Sequence, residues 1–178
     1  MGKVIVYVAQ SLDGYIARKD GDISWLSRYE NQGEDHGYKE FLRDVATLVV
    51  GSATYEQVLA FAGWPYGDKK TYVLTGRDLK KAPGADIEFY AGDLSRLLGR
   101  IRSKSDKNIW IVGGAQVVSS LLNEKLVDEL MVFIVPILLA EGIGLFASLE
   151  RETELTLIGS KRYQTGIVLT HYEVAKER

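Results

Sequence analysis

Residues 108–118 read Asn-Ile-Trp-Ile-Val-Gly-Gly-Ala-Gln-Val-Val, an apolar run followed by two glycines and a second apolar run. The first run, Asn108–Val112, is apolar on both faces, which is typical of a central strand covered by helices on each side. In the second run, the apolar residues of 117–122 recur with the spacing of one helix face. The stretch therefore predicts a strand, a turn of small residues and an amphipathic helix, the repeating unit of α/β proteins.

The same signals extend in both directions from this unit. Short runs rich in β-branched and aromatic residues, bounded mostly by Gly, Asp or Pro, predict strands. These runs are Lys3–Ala9, Thr47–Val50, Thr71–Thr75, Ile87–Tyr90, Asn108–Val112, Asp128–Ile134, Glu154–Tyr163 and Gly166–Val174. The last two flank the dipeptide Gln164-Thr165, which predicts an antiparallel hairpin. We therefore expect an α/β fold with a mainly parallel central sheet and an antiparallel C-terminal strand.

Helix signals separate the predicted strands. Apolar residues of 94–101 follow helical spacing behind Asp93, which we expect to cap that helix. Thr54 and Gln57 have the spacing of a capping box ahead of an apolar pair, which predicts a second helix start. Residues 38–44 predict a shorter helix.

Composition excludes several classes of protein. The chain has 178 residues, a length that predicts one domain over residues 1–178 with roughly 70% of its unfolded surface buried. It has no Cys, which excludes disulfides and thiolate metal sites, and we expect no metal. A formal net charge of −2 without a basic block argues against nucleic acid as a partner. Short apolar runs and no signal-peptide pattern predict a cytoplasmic protein without a membrane partner.

Two predicted strand ends run into turns of small residues, which makes them candidate binding sites. One turn begins at Gly51 and the other at Gly113. Ligands of parallel sheets bind beyond the carboxyl ends of the strands, and the N–H groups and dipole of a helix N-terminus favour phosphate. Neither turn matches a Walker A loop or a full GxGxxG pattern, so a tight packing turn remains the alternative for each.

A cluster of acidic residues precedes the short predicted helix. It consists of Glu30, Glu34 and Asp35, with His36 beside them. A carboxylate near aromatic residues can donate a proton or orient a polar heterocycle, and a solvated acidic loop is the alternative. Earlier in the chain, the long loop that carries Trp25 is typical of an active-site lid, unless Trp25 only fills the core.

Seven segments, in order, resemble a known family. They read VYVAQSLDGYIA, GDISWL, GYKEF, TLVVGSATYEQV, YVLTGRDLK, IWIVGGAQVVSSLL and PILLAEGIGLF. Together they resemble the dihydrofolate reductase superfamily across essentially the whole chain. The narrower resemblance is to the reductase (C-terminal) domain of the riboflavin-biosynthesis deaminase–reductase and its stand-alone relatives. This resemblance implies a three-layer α/β/α fold and an NADPH-dependent reductase of a pterin or aminopyrimidine-type heterocycle, such as a 5-amino-6-(5-phosphoribosylamino)uracil reductase. It also implies a homodimer.

The resemblance also implies a set of cofactor-binding positions for NADPH. Ala9 matches the strand end that holds the nicotinamide, and Ile16 matches the mobile loop over it. The remaining positions match the adenosine, phosphate and pyrophosphate contacts: Gly51, Ser52, Ala53, Thr54, Thr75, Arg77, Val112, Gly113, Gly114, Ala115, Gln116 and Val117. In the family the peptide bond between the two paired glycines is cis.

For the substrate, the resemblance implies a catalytic carboxylate and an aromatic pocket. Counting back from Gly51 favours Asp35 as the carboxylate that orients the N–C–N edge of the heterocycle, whereas counting forward from Trp25 favours Glu30. Trp25, Tyr38 and Phe41 are expected to line the pocket.

Two positions depart from the pattern of the family. Ser52 stands where the family usually has Arg or Lys to pair with the 2′-phosphate of NADPH, a role that Arg77 can take over. Ile23 stands where the riboflavin branch usually has Ser, which weakens the expectation of a phosphoribosyl substrate. A non-catalytic nucleotide- or pterin-binding module and a true dihydrofolate reductase therefore remain alternatives.

Overall fold

The computed structural model describes residues 1–30, 33–146 and 148–176, and it contains two sheets. The main sheet has eight strands: β1 (Val4–Ser11), β3 (Val45–Gly51), β4 (Lys70–Leu74), β5 (Ile87–Tyr90), β6 (Asn108–Gly113), β7 (Glu129–Val135), β9 (Leu155–Arg162) and β10 (Val168–Val174). A small antiparallel sheet pairs β2 (Tyr15–Ala17) with β8 (Ile143–Gly144). All eight predicted strands are confirmed, but the sequence did not predict β2 and β8 because such short strands carry no periodic signal.

The helices lie between the strands. They are a 3-10 turn (Ser24–Leu26), α1 (Ser27–Glu30), α2 (Tyr38–Arg43), α3 (Ser52–Ala62), α4 (Leu94–Arg102) and α5 (Ala115–Asn123). The predicted cap of α4 is confirmed, since the Asp93 carboxylate accepts the N–H of Arg96 at 2.6 Å. Among the helices of the described ranges, none is long and apolar enough to cross a membrane.

The predicted capping box of α3 is wrong. The helix begins at Ser52, with Gly51 at the N-cap and no side-chain cap. The side chain of Gln57 does not reach back to the helix start, because its amide donates to the carbonyl of Gly21. The first N–H groups of α3 consequently have no side-chain partner at the cap.

The main sheet has the strand order β5-β4-β3-β6-β1-β7-β10-β9. Strands β1 and β3 to β7 are parallel, and the C-terminal strands β10 and β9 add in antiparallel pairs, as predicted. The neighbouring strands β3 and β6 continue in opposite directions, β3 through α3 to β4 and β6 through α5 to β7. The carboxyl ends of β3 and β6 therefore form a topological switch point, where open α/β sheets bind their ligands.

Helices cover both faces of this sheet. Buried residues of β1 and β6, including Val6 and Ile111, pack with Leu97 of α4 and Leu121 of α5 in one cluster. On the other face, Trp110 packs in a second cluster with residues of α2. Two covered faces explain why the central strands carry apolar residues on both sides, and they produce the three-layer architecture.

A network of ion pairs lies at the opposite end of the sheet from the switch point. The carboxylate of Glu129, whose side chain is 7% exposed, accepts hydrogen bonds from the Lys3 ammonium and from His171 Nε2, the latter at 2.8 Å. Burial alone would raise the pKa of Glu129, but these two hydrogen bonds hold it below its ordinary value of 4.5. The ionised carboxylate is therefore the form that the folded state stabilises.

Glu129→Gln is expected to lower the free energy of unfolding at pH 7 by about 1–3 kcal/mol, because the amide leaves Lys3 and His171 without an anionic partner. A lowered pKa stabilises the fold above the pKa of the unfolded chain, so the contribution is lost as the pH falls below 4.5. Urea titrations at pH 7 and pH 3.5 should show the two proteins converging in acid. A difference that stays constant with pH would contradict this reading.

Candidate active site

A cavity of about 630 Å³ opens at the switch point, and we call it the switch-point cavity. The N-terminal residues of α3 and α5 form its centre, and the segment after β1 forms one side. Its lining consists of Ile16, Ala17, Lys19, Asp20, Gly21, Gly51, Ser52, Ala53, Thr54, Gln57, Leu74, Gly114, Ala115, Gln116, Val117 and Ile143. The structure thus brings together nine of the predicted cofactor-binding residues, from three separate segments of the chain.

The two helix starts at this cavity suit a phosphate group. Gly51 and Gly114 are the N-caps of α3 and α5, and neither helix has a side-chain cap. Helices without such caps present unpaired N–H groups and a positive dipole end to a ligand. Two of them facing one cavity suit a pyrophosphate, whose two phosphates each need such donors.

The glycines at these caps keep the cavity narrow but open. A Cβ on Gly51 would lie 3.0 Å from a methyl carbon of Val117, and a Cβ on Gly114 would lie 3.1 Å from the hydroxyl of Thr54. Gly113 has φ +127°, a conformation that L side chains rarely adopt. The peptide bond between Gly113 and Gly114 is cis, as the family resemblance implies. The backbone therefore approaches any ligand here without intervening side chains.

The loop after β1 is tied to the segment before β8 by specific hydrogen bonds. The carboxylate of Asp13 accepts the N–H groups of Leu139 at 3.1 Å and Ala140 at 2.8 Å. The carbonyl of Gly14 accepts the N–H of Leu145 at 3.1 Å. These bonds join the SLDGYIA and PILLAEGIGLF segments into one wall that carries Ile16 and Ile143 to the switch-point cavity.

A second cavity, of about 350 Å³, lies beside the carboxyl end of β1, and we call it the aromatic pocket. Its lining consists of Tyr7, Ala9, Leu26, Tyr29, Glu30, Glu34, Asp35, His36, Tyr38, Lys39, Phe133 and Ile167. The Tyr7 ring stacks on Phe41 at a centroid distance of 4.1 Å and lies 4.6 Å from the Phe133 ring. Burial raises the pKa of the Tyr7 phenol, so this wall stays uncharged at neutral pH. The pocket suits a flat apolar ring with polar edges.

Asp35 stands at the start of α2 as a fixed anion. Its carboxylate oxygens accept the N–H groups of Gly37 at 3.1 Å and Lys39 at 3.2 Å. These backbone hydrogen bonds hold the pKa of Asp35 below its ordinary value, so the group is ionised at neutral pH. A carboxylate oxygen can accept more than one hydrogen bond, so Asp35 retains capacity for a ligand.

The other two carboxylates of the aromatic pocket differ in their partners. Glu34 accepts the N–H of Gln164 at 3.0 Å, which ties this loop to the β9–β10 hairpin. Glu30, at the end of α1, has no hydrogen-bond or ion-pair partner among the described residues. Both candidates for the catalytic carboxylate, Asp35 and Glu30, therefore line the same pocket.

The structure places several predicted site residues elsewhere. Trp25 and Phe41 do not line the aromatic pocket: Trp25 is 2% exposed and packs in the core beneath it, and Phe41 packs behind Tyr7 against Trp110. Their aromatic side chains face the core because the 3-10 turn and α2 each bury one face. Four further predicted residues are not among those that line the switch-point cavity. Thr75 and Arg77 follow β4, and Val112 and Gly113 are the last two residues of β6.

Arg77 is engaged with another side chain. Its guanidinium contacts the carboxylate of Glu56 on α3 at 2.6 Å, and both side chains are about half exposed. Ala9, predicted to contact the nicotinamide, lines the aromatic pocket, whereas Ile16 lines the switch-point cavity. The loop that joins these two residues therefore links the two cavities.

Sequence reasoning missed some residues of both cavities. Gln57 lies one helical turn beyond Ala53 and Thr54, so helical spacing could have indicated it. Phe133 faces the aromatic pocket because β7 pairs with β1 in a register that places Phe133 opposite Ala9. No local pattern reveals that register.

Comparison with known proteins identifies the family. A family model described as the RibD C-terminal domain matches residues 62–169. The chain belongs to the RibD C-terminal domain family. The Bacillus subtilis protein YwjB, itself uncharacterized, is 37% identical over 171 residues, which are 96% of this chain and 97% of that protein. This family is a reductase-type family of riboflavin biosynthesis.

Solved structures of other proteins share the fold of this RibD C-terminal domain. A Shewanella sp. PV-4 protein ascribed to riboflavin biosynthesis has a TM-score of 0.86 and 31% identity, covering 98% of this chain and 99% of its own. Dihydrofolate reductase from Enterococcus faecalis, complexed with NADP(H), has a TM-score of 0.66 at 19% identity, covering 98% of each chain. The deaminase/5-amino-6-(5-phosphoribosylamino)uracil reductase of Thermotoga maritima has a TM-score of 0.68 at 15% identity, over 98% of this chain and 57% of that protein. At these identities the last two show the fold alone.

Proposed function

We propose that this chain is an NADPH-dependent reductase of a pterin- or aminopyrimidine-type heterocycle. The observation that carries the proposal is the pairing of two cavities around the loop after β1. One presents two uncapped helix N-termini, and the other presents aromatic walls with an ionised Asp35. This arrangement supplies a phosphate site and a ring site at the same edge of the sheet, which a hydride-transfer reaction requires.

The residues of the switch-point cavity fit the proposed cofactor. The backbone N–H groups at Ser52 and Ala115 begin the two helices and would hold the pyrophosphate. The bare backbone at Gly51 and Gly114 leaves room that a Cβ would fill. When bound, NADPH would supply a hydride from its nicotinamide ring, and Ala9, which lines the adjoining aromatic pocket, is the residue that the family resemblance assigns to that ring.

The residues of the aromatic pocket would position the substrate. Tyr7 and Phe133, whose ring centroids lie 4.6 Å apart, would together form one wall against the substrate ring, and Asp35 would accept two N–H groups from its N–C–N edge. Reduction of a C=N bond adds hydride to carbon and a proton to nitrogen. Because the pKa of Asp35 is lowered, this carboxylate is a poor proton donor at neutral pH, and water at the exposed side of the pocket would supply the proton.

Turnover assays test the proposal. The purified chain is titrated with NADPH, and oxidation of NADPH is then followed by absorbance with dihydrofolate, an unsubstituted dihydropterin and the phosphoribosyl aminopyrimidine of riboflavin biosynthesis. Oxidation that depends on at least one of these heterocycles supports the proposal. Tight binding of NADPH without oxidation would instead favour a non-catalytic binding module, and failure to bind NADPH would reject both functions.

Arg77→Ala tests the preference for NADPH over NADH. If Arg77 leaves Glu56 to contact the 2′-phosphate, we expect the affinity for NADPH to fall about tenfold more than the affinity for NADH. Arg100→Ala is a matched control, because Arg100 on α4 forms a similar exposed ion pair with Glu88 on β5. Equal losses for the two nucleotides, measured by fluorescence titration, would exclude a contact between Arg77 and the 2′-phosphate.

A further inference from the structure

We infer that the aromatic pocket accepts a heterocycle without a phosphate group, neutral or protonated, and that the carboxylates at its mouth discriminate against phosphorylated rings. This inference rests on the proposed function, because it specifies the substrate class of the same pocket. It depends on which charged side chains face the pocket and on what those side chains already contact.

Acidic groups outnumber basic groups in the lining. Glu30, Glu34 and Asp35 are carboxylates, whereas Lys39 is the one Lys or Arg among the described lining residues. The other titratable groups of the lining are His36, whose Nε2 lies 2.9 Å from the hydroxyl of Thr165, and the phenols of Tyr7, Tyr29 and Tyr38. In formal charge, counting His and Tyr as neutral, the lining has three negative groups against one positive group.

Other cations lie near the pocket but do not line it. The Arg28 guanidinium lies over the ring of Tyr29 at 5.9 Å from its centroid, and the Lys161 ammonium lies over the ring of Tyr163 at 4.9 Å. Tyr29 and Tyr163 are buried core residues, 8% and 5% exposed. Arg28 and Lys161 therefore each contact the ring of a largely buried tyrosine. Neither residue is among those that line the pocket.

Glu30 is the carboxylate with the greatest freedom to meet a ligand. Glu34 and Asp35 already accept backbone N–H groups, whereas Glu30 has no such partner among the residues described. A phosphate ester carries about −1.5 to −2 charges at neutral pH, so three carboxylates would repel it. The same carboxylates favour an amino-substituted ring, whose N–H groups donate to them.

The two cavities therefore differ in the chemistry that they select. The switch-point cavity offers helix N-termini to phosphate, whereas the aromatic pocket offers carboxylates to N–H groups. The Thermotoga maritima reductase that shares this fold is named for a phosphoribosyl substrate. The charges of this pocket point to a substrate class different from the one in that name.

A matched pair of ligands tests this inference: 6-hydroxymethylpterin and its monophosphate ester, which differ only in the phosphate. Binding to the full chain is measured by pterin fluorescence at low and high salt. We expect the ester to bind at least about tenfold more weakly than the alcohol at low salt. This gap in affinity between the two ligands should narrow at about 0.5 M salt, because screening weakens the repulsion. Glu30→Lys should narrow the gap by about tenfold, and Glu30→Gln should narrow it by less. Glu124→Lys, the same charge change at the exposed far end of α5, should leave the gap unchanged.

Several results would overturn the inference. One is that the ester binds as tightly as the alcohol. Another is a difference in affinity between the two ligands that neither salt nor the Glu30 variants change, since that pattern indicates steric exclusion. Failure of both ligands to bind would also overturn it. The proposed function can fail independently of this inference. If the unphosphorylated pterin binds more tightly than its ester but NADPH is never oxidised, the reductase activity is contradicted and the inferred ligand preference is not.

Discussion

Gly114→Val is expected to weaken NADPH binding by about 100-fold or more. A Cβ at this position already lies 3.1 Å from the Thr54 hydroxyl, and the two methyl groups of Val would occupy the space between the starts of α3 and α5. Any phosphate held there would lose contacts with backbone N–H groups, and each such charge-assisted hydrogen bond contributes about 1.5–3 kcal/mol. Fluorescence titration of NADPH against the variant measures the loss.

Gly99→Val is the matched control for this variant. Gly99 lies in α4, and a Cβ there meets no atom within 4 Å, so the same added volume is accommodated away from both cavities. The control should bind NADPH like the wild type. Thermal melting of both variants separates a blocked site from a failure to fold, and Gly114→Ala provides a milder change should the Val variant be unstable. Unchanged binding by a folded Gly114→Val protein would mean that this turn is only a packing feature.

Asp35→Asn is expected to lower kcat by roughly 100-fold while the affinity for NADPH changes by less than about threefold. The amide keeps an oxygen that can accept the N–H of Gly37 or Lys39, and Asn is a good residue at a helix start, so α2 should persist. What the substitution removes is a negative charge that can accept two N–H groups from the ring. Steady-state kinetics with NADPH and the best heterocycle measures the effect.

Glu30→Gln separates the two candidate carboxylates. Both residues line the aromatic pocket, but Asp35 is held by two backbone hydrogen bonds, whereas Glu30 lies at the exposed end of α1. A fixed anion orients a substrate better than a mobile one, so we expect the larger loss of kcat from Asp35→Asn. If Glu30→Gln abolishes turnover and Asp35→Asn does not, the roles of the two residues must be exchanged.

Much of the fold follows from local sequence. The stretches that became β1, β3 and β6 are apolar on both faces, and each predicted end lies within two residues of the observed one. Small residues directly after β3 and β6 mark the turns at Gly51 and Gly113, because only small residues suit a helix start that approaches a ligand. The residues of these two turns, which form the centre of the switch-point cavity, could accordingly be predicted from the sequence.

The aromatic pocket was less predictable, because its walls depend on long-range contacts. Phe133 enters it through the register of β7 against β1, and Ile167 enters it from the hairpin that ends the sheet. A Trp side chain suits either a pocket wall or the core, so the sequence does not decide between these positions for Trp25. In the structure Trp25 is 2% exposed and lies in the core. Local patterns indicate that a residue is buried, but they do not tell which buried surface it joins.

A crystal structure of the chain with NADP⁺ and an unreactive 2,4-diaminopteridine tests the central claim most directly. We expect the pyrophosphate between the starts of α3 and α5, the nicotinamide against Ala9, and the pteridine in the aromatic pocket with its amino groups donating to Asp35. A nucleotide bound away from the switch-point cavity, or a pteridine that does not contact the aromatic pocket, would contradict it.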